Sequence, residues 1–193
     1  NSVIDYQDGY FFPEGRSELI EFRQWRRAHS DRVLRENRWV LKLICCIPHV
    51  RMVALSGSIA HLNLEIGGDI DLFIVTRRNR VWSVAVEVLL LRRLLGKYRV
   101  ICPNLILSDS RLVIDQRDLF NANQIIHIKP LMGLEMYRRF VDANDFITVF
   151  YPNYTFNDSP LDFRPHWALR RFKRIAEGVL LLGGGLQELV CRS

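Results

Sequence analysis

Two acidic residues, Asp69 and Asp71, stand two positions apart within the mostly apolar stretch LEIGGDIDLFIV. Residues two apart on a β-strand point to the same face, so both carboxylates are predicted to lie side by side, with Ile70 and Leu72 facing the core. Neighbouring carboxylates repel each other unless a cation lies between them. Their oxygens suit Mg²⁺ when a phosphate supplies the remaining ligands. This acid pair therefore predicts a divalent-cation site.

A Gly-Ser pair, Gly57 and Ser58, precedes the acid pair by about ten residues and follows the β-prone stretch VRMVAL. Free backbone amides at the point where a strand gives way to a helix suit a phosphate, and glycine lets the ligand approach the backbone closely. The Gly-Ser pair therefore predicts a phosphate-binding turn.

Together these residues resemble the nucleotidyltransferase domain of the DNA polymerase β superfamily. Gly57, Ser58, Asp69 and Asp71 match its motif residue by residue, and the resemblance covers roughly residues 50–107. It implies a protein that uses Mg²⁺ (or Mn²⁺) to transfer a nucleoside monophosphate from a nucleoside triphosphate (NTP) to an acceptor, releasing pyrophosphate. It also implies that Asp69 and Asp71 are the catalytic, metal-holding residues and that Gly57 and Ser58 bind the nucleotide phosphates.

One departure from the family's pattern concerns a third acid, which usually lies on the following strand. The corresponding stretch here, RVICPNLIL, contains no acid. Asn104 stands at about that place and is a candidate metal ligand with one neutral oxygen, while Asp109 and Asp115 would serve if the strand runs longer. The alternative hypothesis is therefore a catalytically weak or inactive module that binds nucleotide, nucleic acid or a protein partner.

The surrounding elements are predicted from hydrophobic periodicity and from Gly and Pro breaks. A hairpin is expected at 3–13, with further strands at 50–55, 70–76 and 99–107. Helices are expected at about 17–47, 59–65, 81–95, 118–128, 131–143 and 166–182.

This order predicts an α/β (α+β) fold with a small mixed sheet of the nucleotidyltransferase type. Residues 1–47 are predicted to form a hairpin and a basic helical segment, and 48–117 the nucleotidyltransferase core. Residues 118–193 are predicted to form a helical C-terminal part, and the resemblance implies that residues 118–182 of it select the acceptor.

Composition narrows the class of protein further. The chain has 193 residues, of which 49% are hydrophobic, and this balance excludes a disordered tail, a collagen-like repeat and a coiled-coil rod. No apolar run reaches the length of about 20 residues that spans a bilayer, so no membrane association is expected.

All four cysteines are expected to be reduced and mostly buried, which favours the cytoplasm. Because the chain begins with Asn1, we expect a processed piece of a longer protein.

The formal net charge of +6 favours anionic partners. Between Arg16 and Arg38 the chain carries seven arginines, with Trp25 among them and Trp39 directly after them. This pattern is typical of a nucleic-acid surface and also of a solvated amphipathic helix. His61, His127 and Lys129 are interpreted as solvated residues on or beside helices. The expected partners are an NTP, an unidentified acceptor, and a nucleic acid or protein partner.

Overall fold

The computed structural model describes residues 3–155, 163, 171 and 173–178 and shows a mixed α/β fold. Its first elements are a hairpin of β1 (Ile4–Gln7) and β2 (Tyr10–Pro13), followed by the long helix α1 (Glu18–Cys45). The hairpin turns at Asp8 and Gly9, which both have positive φ, as a two-residue turn of this type requires. The predicted hairpin and first helix are thus confirmed.

The central elements follow in alternation. They are β3 (Val50–Leu55), α2 (Gly57–Ala60), β4 (Ile70–Thr76), α3 (Val81–Leu94) and β5 (Ile101–Ser108). Strand β3 pairs antiparallel with β4, and α3 forms the crossover to β5, which runs parallel to β4. The prediction for the short helix was wrong in its bounds, because α2 begins two residues earlier and ends before Leu62, whose φ of 52° is left-handed.

The last described elements correct the expectation of a wholly helical C-terminal part. They are α4 (Leu119–Ile126), β6 (Lys129–Met132), α5 (Leu134–Asp142) and α6 (Ile147–Phe150). Strand β6 lies at the sheet edge, where Pro130 is tolerated, and α5 begins only after it. Gly133 separates β6 from α5 with φ +83°, and a Cβ there would lie 2.1 Å from the carbonyl oxygen of Arg51.

The sheet has the strand order β5-β4-β3-β6 and carries an apolar layer on each face. Leu55 and Leu72 face the layer formed with α1 and α3, whereas Ala54 and Phe73 face the layer formed with α4 and α5. Because side chains alternate along β4, Asp71 lies on the same side as Phe73. The small mixed sheet with flanking helices is therefore confirmed, and the division of the chain at residues 47 and 117 stays a prediction.

The helix expected at 166–182 lies mostly outside the described residues, but residues 173–178 are helical. Lys173 Nζ donates hydrogen bonds to the carbonyl oxygens of Cys45 and Val50, at 3.0 and 2.7 Å. This contact holds the segment against the junction of α1 and β3. In the described part of the chain, no helix combines the length and the apolar character needed to cross a bilayer.

Three cysteines fall within the described residues, and all three are free thiols. Cys45 and Cys46 are buried, as predicted, whereas Cys102 is only half-buried. Cys191 lies outside the described residues.

Candidate functional site

Strand directions bring the Gly-Ser turn and the acid pair to one end of the sheet. Strand β3 ends there, while β4, β5 and β6 all begin there, since Leu55 pairs with both Leu72 and Lys129. The N–H of Ser56 donates to the carbonyl oxygen of Asp71 at 3.0 Å and extends the β3–β4 pairing up to the turn.

Gly57 is in direct contact with the acid pair. Its φ is +61°, and a Cβ at this position would lie 2.3 Å from Oδ2 of Asp71. Only a glycine therefore leaves room for this carboxylate against the turn. Ser58 follows in the first turn of α2 with its side chain exposed, so Gly57 is the residue of the predicted phosphate-binding turn that the structure places against the acid pair.

Sequence analysis missed the cysteine beside the acid pair. Cys102 on β5 is the register partner of Asp71 on β4, and one ligand atom from each of Asp69, Asp71 and Cys102 lies within 4.8 Å of the others. The sequence could have indicated this cysteine, because Cys102 lies in the same predicted strand as the candidate ligand Asn104, two residues before it.

The three oxygen-bearing candidates for the third ligand differ in where they lie. Asn104 is exposed and stands at an irregularity in the β4–β5 register, so its role as a metal ligand stays a prediction. Asp109 lies beyond the opposite end of β5, where its N–H donates to the carbonyl oxygen of Thr76. Asp115 forms an exposed ion pair with Arg111. The structure therefore brings neither aspartate to the acid pair.

Negative charge is concentrated at the acid pair. Burial and the adjacent Asp69 raise the pKa of Asp71, while a hydrogen bond from Cys102 acts in the other direction. Burial and the charge of Asp69 raise the pKa of Cys102 to about 11, so its thiol is neutral at neutral pH without a metal. Among the described residues, no basic side chain forms an ion pair with either carboxylate.

The donors at this site fit a divalent cation with a phosphate ligand. The carboxylates are hard oxygen donors of the kind that Mg²⁺ and Mn²⁺ take. Beside them, the hydroxyl oxygen of Ser56 is buried and has no hydrogen-bond partner, although buried polar atoms usually have one. This hydroxyl is therefore a buried polar group next to the glycine turn whose hydrogen-bonding capacity the described residues leave unused.

A cavity of about 390 Å³ opens beside this turn, between the sheet and α4. Ser56, Gly57 and Asn104 line it on the sheet side, and Asn121 and Gln124 of α4 add side-chain amides. Its other walls are apolar, with the phenylalanines Phe73, Phe120 and Phe140 among them. A mostly apolar cavity with a few amide groups has the character of a small-molecule site.

Basic side chains flank the turn on its other side. The rings of His61 and His127 lie 3.9 Å apart between centroids, and both residues are half-buried, so the interpretation of them as freely solvated was wrong. Burial, then His127, Lys129 and Arg23, lower the pKa of His61. Lys129 is also half-buried, opposite Leu55 in the β3–β6 register.

Two arginines of α1 position the loop between α2 and the acid pair. The guanidinium of Arg23 donates to the carbonyl oxygens of His61 and Leu62, at 2.8 and 2.7 Å. Arg26 forms an ion pair with Glu65 at 2.7 Å. Arg23 and Arg26 of α1 therefore form hydrogen bonds and an ion pair with other residues of this chain.

Comparison with known proteins gives no match: no family model, no curated protein and no solved structure is similar to this chain. The nucleotidyltransferase resemblance consequently depends on the four motif residues and on the site geometry.

Proposed function

We propose that this chain is a nucleotidyltransferase that transfers a nucleoside monophosphate from an NTP to a hydroxyl acceptor and releases pyrophosphate. The observation that carries the proposal is the contact between the Gly57 turn and the Asp71 carboxylate. A phosphate-binding backbone and a cation-binding acid pair are what a metal–triphosphate complex needs side by side.

Each residue has a defined task in this proposal. Asp69 and Asp71 hold the cations, and the backbone of Gly57 with the hydroxyl of Ser58 binds phosphate oxygens. When bound, Mg²⁺ (or Mn²⁺) supplies Lewis-acid polarisation of the phosphate and lowers the pKa of the acceptor hydroxyl. Lys129, opposite Leu55 in the β3–β6 register, places positive charge near the turn, which favours the charge of the departing pyrophosphate.

The nucleoside is proposed to occupy the cavity beside Gly57. Its phenylalanine side chains offer apolar faces to a base, and the amides of Asn121 and Gln124 offer hydrogen bonds to it. The cytoplasmic location stays a prediction, and the acceptor is unidentified.

Calorimetric titration of the chain with each NTP, with and without Mg²⁺ or Mn²⁺, tests the proposal. We expect metal-dependent binding that Asp69→Ala/Asp71→Ala abolishes. Asp109→Ala/Asp115→Ala is the matched control, because it removes the same charge away from the site and should retain binding. Absence of NTP binding by the native chain, or equal loss in both double variants, would contradict the proposal.

A second candidate function, nucleic-acid binding, is favoured by the opposite end of the sheet. A cavity of about 690 Å³ there is lined by Arg51, Arg171, Lys173, Arg174 and Glu177, with Val50 and Met132. Lys173 and Glu177 are engaged with backbone groups of α1, β3 and His49. No ion pair within the described ranges involves the three arginines, so they present charge to an anion.

A further inference from the structure

Cys102 supplies the acid pair with a sulfur donor from a neighbouring strand. Because β4 and β5 are parallel and Asp71 pairs with Cys102, both side chains leave the sheet at the same level. The ligand atoms of Asp69, Asp71 and Cys102 lie within 4.8 Å of one another, which is close enough for one cation to contact all three.

This donor set distinguishes between classes of cation. Mg²⁺ takes oxygen ligands in a strict octahedral geometry, and a sulfur donor adds little to its binding. Zn²⁺ and other thiophilic divalent cations take cysteine sulfur together with carboxylate oxygen. Three protein ligands also leave a coordination position open, as in catalytic zinc sites.

We propose that Asp69, Asp71 and Cys102 form a three-ligand site for a thiophilic divalent cation such as Zn²⁺. The inference deepens the proposed function, since it uses the same two carboxylates and names the class of cation that they select. On binding, the sulfur of Cys102 forms a bond to the cation and its proton leaves to solvent. Mg²⁺ would bind here through the two carboxylates alone, whereas a thiophilic cation would bind through all three side chains.

Cd²⁺ is the probe, because its bond to a thiolate produces an ultraviolet charge-transfer absorption that Mg²⁺ and carboxylates alone do not give. We expect this absorption in the native chain and its loss in Cys102→Ser. It should also be lost in Asp69→Asn/Asp71→Asn, which keeps the thiol but removes both carboxylates. Zn²⁺ affinity, measured by competition with a chromophoric chelator, should fall at least about tenfold in Cys102→Ser, since even second-sphere partners of metal ligands are worth about 10–100-fold.

The other cysteines provide the matched controls. Cys45 and Cys46 are buried on α1 or at its end, and Cys46→Ser and Cys191→Ser should retain the full absorption. A band that persists in Cys102→Ser, or no band in the native chain, would overturn the inference. Unchanged far-ultraviolet circular dichroism and thermal midpoint would show that Cys102→Ser folds normally.

The same samples separate this inference from the proposed function. Cys102→Ser should still bind NTP with Mg²⁺ in calorimetry, because both carboxylates and the Gly57 turn remain. Cadmium absorption without NTP binding by the native chain would refute the nucleotidyltransferase proposal and leave the three-ligand site standing. NTP binding without cadmium absorption would refute the three-ligand site and leave the nucleotidyltransferase proposal standing.

Discussion

Gly57 determines how closely the proposed phosphate-binding turn and the acid pair approach each other. We expect Gly57→Ala to displace the Asp71 carboxylate, because the new Cβ would lie 2.3 Å from Oδ2. Metal-dependent NTP affinity should fall at least about tenfold, and the free energy of unfolding should fall by about 1–3 kcal/mol from the left-handed backbone alone. Calorimetry and urea unfolding measure the two effects.

Gly67→Ala is the matched control for this substitution. Gly67 has a φ of +76°, and nothing lies within 4 Å of the position of its Cβ. The variant should therefore lose stability from backbone strain and keep its affinity for NTP. An equal loss of affinity in both variants would show that strain in the loop, and not contact with Asp71, is responsible.

The individual site residues differ in how far the sequence predicts them. Asp69, Asp71, Gly57 and Ser58 are predicted by local spacing, because the period of a strand and the change from strand to helix depend on neighbouring residues. Cys102 is not predicted, because its place beside Asp71 depends on the register between β4 and β5. That register joins two strands separated by α3 in the sequence and is not encoded near either residue.

At the scale of elements, α1 acts as a support for the loop that precedes the acid pair. Arg23→Ala removes two charge-assisted hydrogen bonds to the carbonyl oxygens of His61 and Leu62. We expect the free energy of unfolding to fall by about 1–3 kcal/mol and NTP affinity to weaken. Amide hydrogen exchange should become faster in residues 61–68.

Arg35→Ala is the matched control, because Arg35 is an exposed arginine on the same helix and the change removes the same charge. It should leave stability, exchange and NTP affinity close to those of the native chain. If the two variants behaved alike, net charge would explain the effect and the support by α1 would be refuted.

Elements with a strong local hydrophobic pattern are predicted well from the sequence. Elements that form only by pairing with a strand far away in the sequence are not. The bounds of β3 and β4 agree with the prediction, because both are runs of β-prone apolar residues between clear breaks. Strand β6 escapes prediction because it has four residues, includes Pro130 and depends on pairing with β3, which lies far away in sequence. The helix α5 consequently begins later than its apolar pattern suggests.

At the scale of the whole molecule, the acid pair and the arginine-lined cavity lie at opposite ends of the central sheet. Asp69 and Asp71 lie at the end where β4 begins, and Arg77 directly follows the end of β4, where Arg51 also lies near the start of β3. The two ends of the sheet are separated by the length of β4, which has seven residues. The proposed nucleotide site and the proposed nucleic-acid surface could therefore be occupied independently.

This separation predicts that the two candidate functions can be removed one at a time. Arg51→Glu/Arg174→Glu should weaken binding of a single-stranded RNA oligonucleotide and reduce the slope of log Kd against log salt by about 1.4, since each of the two phosphate contacts contributes about 0.7 for single strands. NTP binding with Mg²⁺ should be retained, because the acid pair is unchanged.

Arg35→Glu/Arg93→Glu is the matched control, with the same change in net charge at other exposed arginines. If both variants lost RNA affinity equally, overall charge would account for binding; if only the first did, the arginines at this end of the sheet form the nucleic-acid surface.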